Sequence, residues 1–449
     1  MNRRNLWLGL VMLVAQTANA ASGVLLRNEV LRENASADAA PIAQLARGAS
    51  VEILQRTGGW VRVQAGGREG WLRVFSLRGS NEEAPAVGFW GRIKSVFLPG
   101  GGDARGIVAV AGLRGIDSTQ GVAARDVAVT RALDVYRPGP AEVAAFAQAG
   151  ELNPQQLAYL DPPGQDDAGL VRWLKRGGGA ASESPALSLH GALLLGKATP
   201  ADEQRIGAHI ASQIERKAPL VREAAVQRYV NQVGGWLAMQ SEKPEQPWRF
   251  GVLDSDEIFT VSAPGGFVFL TRGLYQRLES EAELAVVLGS EMAQVLRHQP
   301  MLYLKEVAQT LAAPEVAESA ADSAASSTLF LIDLIGDAGD YLSRNLDPQG
   351  VFAADRAGLV LAVRAGYEPY AFASVLQKLD SIGRDDPSLV LFSRTRPSPS
   401  ARLQQLAAAM DAGVGSSRFD SFTAQSQANR FRQFALPADR QGRQERNQQ

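Results

Sequence analysis

Apolar and polar positions change rhythm along this chain. Between Val24 and Leu77 they alternate in short runs broken by turn residues, and a period of two predicts strands. "QLARGASVEIL" reads as a turn at Gly48 followed by a strand, and "GGWVRVQAGGREGWLRV" as two strands hinged on Gly66 and Gly67. Trp60 and Trp71 are the large core or groove residues of that small β unit, with Trp71 assigned to the core. A polar, proline-bearing link follows, "RGSNEEAPAVG". Residues 85–165 are alanine-rich and weakly helical, and in "PAEVAAFAQAGEL" Pro140 and Gly150 bracket a helix in the expected order. No chemistry attaches to this helical connector. "KRGGGAASESPA", Lys175 to Ala186, is a flexible joint by composition.

From Thr199 the period lengthens to that of amphipathic helices. "PADEQRIGAHIASQIERKAPLV" opens on Pro200 with acidic residues in its first turn, which suits the helix dipole. "REAAVQRYVNQVGGWLAMQ" places Val226, Tyr229, Val230 and Val233 on one face. "WRFGVLDSDEIFTVSAPGGFVFLTRGL" is strand-rich, with Gly265–Gly266 as its turn and "FVFLT" as the returning strand. Another helix follows in "AELAVVLGSEMAQVLRH". Ala313 to Ser327, rich in Ala and Ser, reads either as a helix or as a lid. The tail 435–449 is too polar to bury anything and is expected to be disordered.

Composition narrows the chemistry. The 46 basic residues are balanced by 47 acidic ones, which leaves no nucleic-acid footprint. The absence of cysteine excludes a disulfide framework, thiol catalysis and thiolate zinc sites. Any histidine-based metal site must draw on His190, His209 and His298 alone. Arg3 and Arg4, the apolar run "LWLGLVMLVA" and the small residues "ANA" read as a signal peptide over residues 1–20, cleaved before Ala21. That run is about half the roughly 20 residues a membrane span needs. The expected location is therefore periplasmic or secreted, with no integral membrane segment in the mature protein.

Two resemblances rest on these motifs. The order "RGASVEIL…GGWVRV…GREGWL" resembles a bacterial SH3-like domain over residues 22–78, which implies a role in binding proteins or the cell wall, peptidoglycan included. In the larger segment, "QRYVNQVGGWLA", "FGVLDSDEIFTVSAPGGFVFLTRGL", "ESEAELAVVLGSE", "AADRAGLVLAVRAGYEP" and "FSRTRPSPSARLQQL" follow one another in order. That order resembles the zinc metallopeptidases typified by the heat-shock protease HtpX, the CAAX prenyl protease and their exported periplasmic relatives. The implied fold class is multidomain. It comprises a small all-β SH3-like barrel, a short helical connector and a mainly helical zincin-like α+β domain over residues 190–412.

The resemblance also implies a site, and here the chain departs from it. Such enzymes carry HExxH on the site helix, because residues four apart stack on one helix face and two imidazoles there reach one zinc. The intervening glutamate serves as general base. This chain reads Ser290, Glu291, Met292, Ala293, Gln294. Glu291 matches the base; Ser290 and Gln294 take the histidine positions. The implied third ligand, a glutamate four residues before an Asp, is Val351 in "VFAAD", and a histidine expected before a proline is Arg396 in "RTRPSP". Four altered positions imply loss of zinc, hence no cofactor and no intact catalytic residue. His298, four residues past Gln294, has no evident third ligand; His209 is expected on an outer helix face and His190 in the joint. A nucleophilic role for Ser290 lacks an adjacent base, its one evident neighbour being Glu291.

Binding can outlive the metal. The resemblance implies that the strand after the "PGG" turn is a sheet edge, and edge addition needs only backbone groups and pockets. Ala263, Pro264, Gly265, Gly266, Phe267 and Arg396 are the peptide-binding candidates. Arg396 either pairs with Glu291 or meets a peptide carboxylate; in the competing arrangement the cleft has collapsed and Arg396 faces solvent. The expected function is a non-catalytic factor binding an envelope protein or extended peptide. The alternatives are an active zinc endopeptidase with atypical ligands, and a cell-wall-binding protein acting through the SH3-like module.

Overall fold

The computed structural model describes residues 21–36, 39–57, 59–79, 119–158, 189–194, 196–311, 335, 338–383, 386–413 and 425–436. The expected leader, the first part of the connector, the joint at 175–186, the segment 313–327 and residues 437–449 lie outside these.

Seven strands form the N-terminal unit: β1 (Ala21–Leu25), β2 (Glu29–Arg32), β3 (Pro41–Leu45), β4 (Ser50–Thr57), β5 (Trp60–Ala65), β6 (Arg68–Arg73) and β7 (Leu77–Gly79). They pair antiparallel in the order β3-β2-β6-β5-β4-β1-β7. Gly66 and Gly67 join β5 to β6 with both φ angles positive, as a tight primed turn requires. The alternating pattern buries Val61, Val63 and Leu72. Trp60 belongs to this core, but Trp71 does not: it alternates with the buried Gly70 and Leu72 and stays half-buried on the sheet's outer face, beside Arg32 and Arg62.

Two helices of the connector follow, α1 (Thr119–Asp134) and α2 (Pro140–Ala149). The main body begins with α3 (Pro200–Lys217) and α4 (Ala224–Met239). Thr199 and Asp202 form a reciprocal capping box at the start of α3, with Asp202 and Glu203 in the first turn and Arg216 and Lys217 in the last. A three-stranded sheet comes next: β8 (Arg249–Leu253), β9 (Thr260–Ala263) and β10 (Phe267–Thr271). The described helices of the rest of the body include α5 (Glu281–Leu296), α6 (Gln299–Leu311), α7 (Ala338–Leu342), α8 (Pro348–Arg364), α9 (Ala371–Ile382), α10 (Pro399–Gly413) and α11 (Gln425–Arg432).

The central helices are α5 and α8. Residues Glu281 to Val295 are all buried, so α5 runs through the core rather than along the surface. Two glycines let α8 lie directly on it. A Cβ on Gly358 would come within 2.4 Å of the Ser290 backbone nitrogen, and one on Gly289 within 2.8 Å of the Gly358 carbonyl. The contacts Gly289–Gly358 and Gln299–Gly350 show the pair to be antiparallel.

The other units are seated on this body. Gln377 of α9 donates its amide to the Leu77 carbonyl at 2.7 Å and to that of Val74, and Tyr370 packs on Phe75 and Gly59. Helix α1 lies across α3: Asp126 accepts from Ser212 and bonds the His209 ring at 3.0 Å, while Asp134 binds Arg249. His209 is therefore fully buried, not on an outer face, because the connector covers that side of α3. The C-terminal segment also departs from expectation: α11 docks on the body, and Leu436, inside the tail read as disordered, is buried.

Candidate functional site

Ser280 caps α5 by accepting from the Glu283 N–H, and Asp347 caps α8 in the same way from Gly350. The crossing of these helices places Ser290 against Asp355, with Oγ donating to Oδ1 at 2.7 Å. In the same antiparallel register, Gln294 and Val351 each lie one turn further on, where both are buried. Asp355 accepts a bidentate pair from Arg402, Nε at 2.7 Å and Nη2 at 2.8 Å. The fork geometry matches carboxylate to guanidinium. Both Asp355 oxygens are taken up by Arg402, so its contact with Ser290 does not make a nucleophile of that hydroxyl.

Glu291 is served by a second guanidinium. Its Oε1 accepts from Arg396 Nη2 at 2.8 Å and from Thr260 Oγ1 at 2.6 Å. Arg396 is 9% exposed and lies over the rings of Phe259 and Phe392, at 4.9 and 5.3 Å. Burial raises the Glu291 pKa, but the Arg396 charge and the Thr260 hydroxyl outweigh it and hold the carboxyl below its ordinary value. Of the three arrangements open from sequence, the structure adopts pairing with Glu291. Arg396 is inside the protein, not facing solvent.

These residues do not fit a zinc ion. The Ser290 hydroxyl proton is given to Asp355, Val351 offers no donor atom, and Gln294 offers only a neutral amide. The carboxylate of Glu291 is held by a fixed cation that would repel a divalent one. Among the described residues no group of three His, Cys, Asp or Glu side chains is placed to hold a metal. Beside Ser290, Glu291 and Arg402 a cavity of about 20 Å³ remains, room for about one water.

The sheet edge lies elsewhere than expected. Strand β10, after the "PGG" turn, is the centre of the order β8-β10-β9, parallel to β8 and antiparallel to β9. Edge addition along "FVFLT" is therefore excluded, because its backbone groups are shared with two neighbours. Ala263, Pro264, Gly265, Gly266 and Phe267 are all buried. Helix α3 lies on the turn so closely that a Cβ on Gly207 would meet the Pro264 carbonyl at 1.9 Å. Strand β9 is an outer strand of the described sheet, itself buried, and two of its carbonyls take side-chain donors. Arg396 Nη2 donates to Thr260 at 2.8 Å, and the Tyr341 hydroxyl to Ser262 at 2.7 Å. A peptide adding here must first displace Tyr341.

The histidines do not gather. His298 adopts a left-handed backbone, φ 53°, and stands between Glu203, 3.2 Å from Nδ1, and Lys243, 3.3 Å from Nε2. His209 is engaged by Asp126. His190 falls in the short helix Leu189–Leu194, with its side chain outside the described residues. Sequence reasoning missed Thr260 and Arg402. The one signal for Arg402 was a demand: Asp355, on a face to be buried, needs a cation, and "SARLQQL" supplies one.

A core helix crossed by a second buried helix beneath a small sheet, with a glutamate at its centre, defines a metallopeptidase-like domain. An SH3 barrel precedes it. Residues 224–410 match peptidase family M48 and residues 30–74 match the bacterial SH3 domain, so the chain carries a peptidase family M48 domain together with a bacterial SH3 domain. Similar proteins include the beta-barrel assembly-enhancing protease of Escherichia coli K12, 26% identical over 212 residues, covering 45% of this chain and 42% of that protein. The Yersinia pestis protein of the same name is 27% identical over 216 residues, with the same coverage. The mitochondrial metalloendopeptidase OMA1 of Schizosaccharomyces pombe is 26% identical over 188 residues, 40% of this chain and 51% of the relative. The match thus spans less than half of the assembly-enhancing relatives' length. No described helix is long and apolar enough to cross a membrane.

Proposed function

We propose that this protein is a non-catalytic member of its peptidase family, a binding or scaffold factor for envelope proteins in their assembly or quality control. The observation carrying this reading is the buried Arg396–Glu291 pair. A guanidinium neutralises the carboxylate that would otherwise polarise a zinc-bound water, and a metal-free glutamate has no activated water to work on. The envelope setting rests on the leader-like residues 1–20, the SH3 domain and the role that the assembly-enhancing relatives are named for. Peptide engagement is assigned to β9 once Tyr341 has moved aside. The buried Ala263–Phe267 stretch supplies no surface for it.

Purified full-length protein should hold no stoichiometric zinc and should leave casein intact, with chelator and Glu291→Gln both without effect. About one zinc per chain, with cleavage abolished by Glu291→Gln, overturns the reading in favour of an active endopeptidase. The SH3 contribution is tested by sedimentation with peptidoglycan. Deleting the module would strip Gln377 and Tyr370 of their partners, so the half-buried Trp71→Ala is the cleaner variant. Binding lost with Trp71→Ala assigns wall contact to that face; binding unchanged removes it.

A further inference from the structure

A second constructed site lies at the other end of α5, away from Ser290 and Glu291. Glu281, in the first turn of α5, is fully buried and accepts hydroxyl bonds from Tyr229 at 2.8 Å and Tyr367 at 2.9 Å. Burial and the Glu281 charge push both tyrosines well above their ordinary pKa, so both act as donors. The remaining lone pairs of Glu281 point at a guanidinium. Arg430 donates Nε to Oε2 at 2.6 Å and Nη2 to Oε1, gives Nη1 to the Phe146 carbonyl at 3.0 Å, and lies over the Phe146 ring at 4.2 Å. The floor is Gly150, where a Cβ would come within 2.1 Å of the guanidinium. An aromatic berth continues the site: Phe434 stacks on Tyr229 at 4.2 Å and 11°, and its carbonyl accepts from Tyr275.

The occupant has the anatomy of a bound peptide. Helix α11 has eight residues, too few to be stable alone. From Asn429 to Leu436 it buries or half-buries only Arg430, Phe431, Phe434 and Leu436, and the rest is exposed. Arg430 and Phe431 anchor the last turn of the helix, and Phe434 and Leu436 anchor the turn that follows it. Residues 414–424 tether it to α10. The receptor residues belong to α2, α4, α5, the turn after α8 and the short helix after β10, so the body forms the groove and residues 430–436 fill it. A buried carboxylate held by two tyrosines strongly demands a cation, since leaving a buried charge unpaired is strongly destabilising.

We infer that this groove is a recognition site for an arginine–aromatic helical segment. Residues 430–436 occupy it in cis, and an Arg-Phe-x-x-Phe segment of another protein takes it in trans. Covalent connection keeps the cis segment at the groove, so the intact chain resists peptide added in trans. This inference does not depend on whether the chain is catalytic.

The test uses the full chain with a protease recognition sequence inserted between residues 418 and 419, and a fluorescein-labelled peptide of residues 425–437. After cutting, fluorescence anisotropy should report capture of the labelled peptide at least about tenfold tighter than by the uncut chain. An Arg430→Met peptide should bind at least about tenfold more weakly, matching loss of charge-assisted hydrogen bonds. The uncut Arg430→Met chain should capture wild-type peptide without cutting. Cut protein that keeps its far-ultraviolet circular dichroism yet never exchanges its segment overturns the inference, as does equal binding of the Arg430→Met peptide. Unfolding on cutting also overturns it, because the segment would then be part of the core.

Discussion

Replacing Arg396 by methionine tests the central pairing. The side-chain volume is roughly kept while the charge is removed, so Glu291 is left buried with only the Thr260 hydroxyl. At the observed 2.8 Å, Coulomb's law with an effective dielectric of about 20 gives about 6 kcal/mol of gross attraction. Both charges were desolvated to make the pair, so the net loss on removing one partner is about 3–5 kcal/mol. For a domain of this size that lowers the unfolding midpoint by about 6–20 °C. Circular-dichroism melts at pH 7 and pH 5 read the effect. In the wild type, the depressed Glu291 pKa contributes stability that is present above the unfolded carboxyl value and lost as pH falls through the folded one. In the variant, burial outweighs the Thr260 hydroxyl bond and lifts the folded pKa above the unfolded one, so the variant gains stability as pH falls from neutral and its deficit narrows at pH 5. The double variant Glu291→Met/Arg396→Met removes both charges and should regain at least about 2 kcal/mol over the single one. A single variant melting within about 2 °C of wild type at pH 7, or a double variant no better than the single, refutes the reasoning.

Three further outcomes follow from the same geometry. The quadruple variant Ser290→His/Gln294→His/Val351→Glu/Arg396→His restores the ligand types the family resemblance implies, and should bind about one zinc per chain by elemental analysis; a metal-free quadruple variant that is folded would show that the register is wrong. Glu368 has its pKa raised to about 7 by burial and by Glu283, so folding favours its protonated form and stability falls as pH rises from about 4.5 to 7. Glu368→Gln should flatten that slope and raise the melting midpoint at pH 8, whereas an unchanged slope assigns it to other groups. Gly358→Ala sets a methyl against the Ser290 backbone nitrogen and should cost about 1–3 kcal/mol in urea unfolding; a neutral result would mean that α5 and α8 part easily.

Much of this protein was legible before any coordinates. The period-two runs found the N-terminal strands, the capping residues around Pro200 located α3, and the ordered motifs placed Glu291 at the centre of the site helix. These features are local or follow from motif order. Trp71 was misassigned because strand alternation gives two faces but not which one is covered. His209 was misassigned for a related reason: α1, more than 70 positions earlier in the chain, covers it. The supposed edge strand became a central one because pairing order is a property of the sheet, and no turn signal specifies it.

By itself, the sequence determined what chemistry is absent from the ligand positions: no thiol, no paired imidazoles, and a valine where an oxygen donor was expected. Those exclusions need only atom types. Tertiary structure decided what fills the space instead. It brought Arg396 to Glu291 across 105 positions and Arg402 to Asp355 across 47. It also brought Arg430, just before the polar tail, to Glu281 across 149. A buried charge must find its opposite, but which arginine supplies it depends on how the helices cross, and that is set by the packing of the whole core.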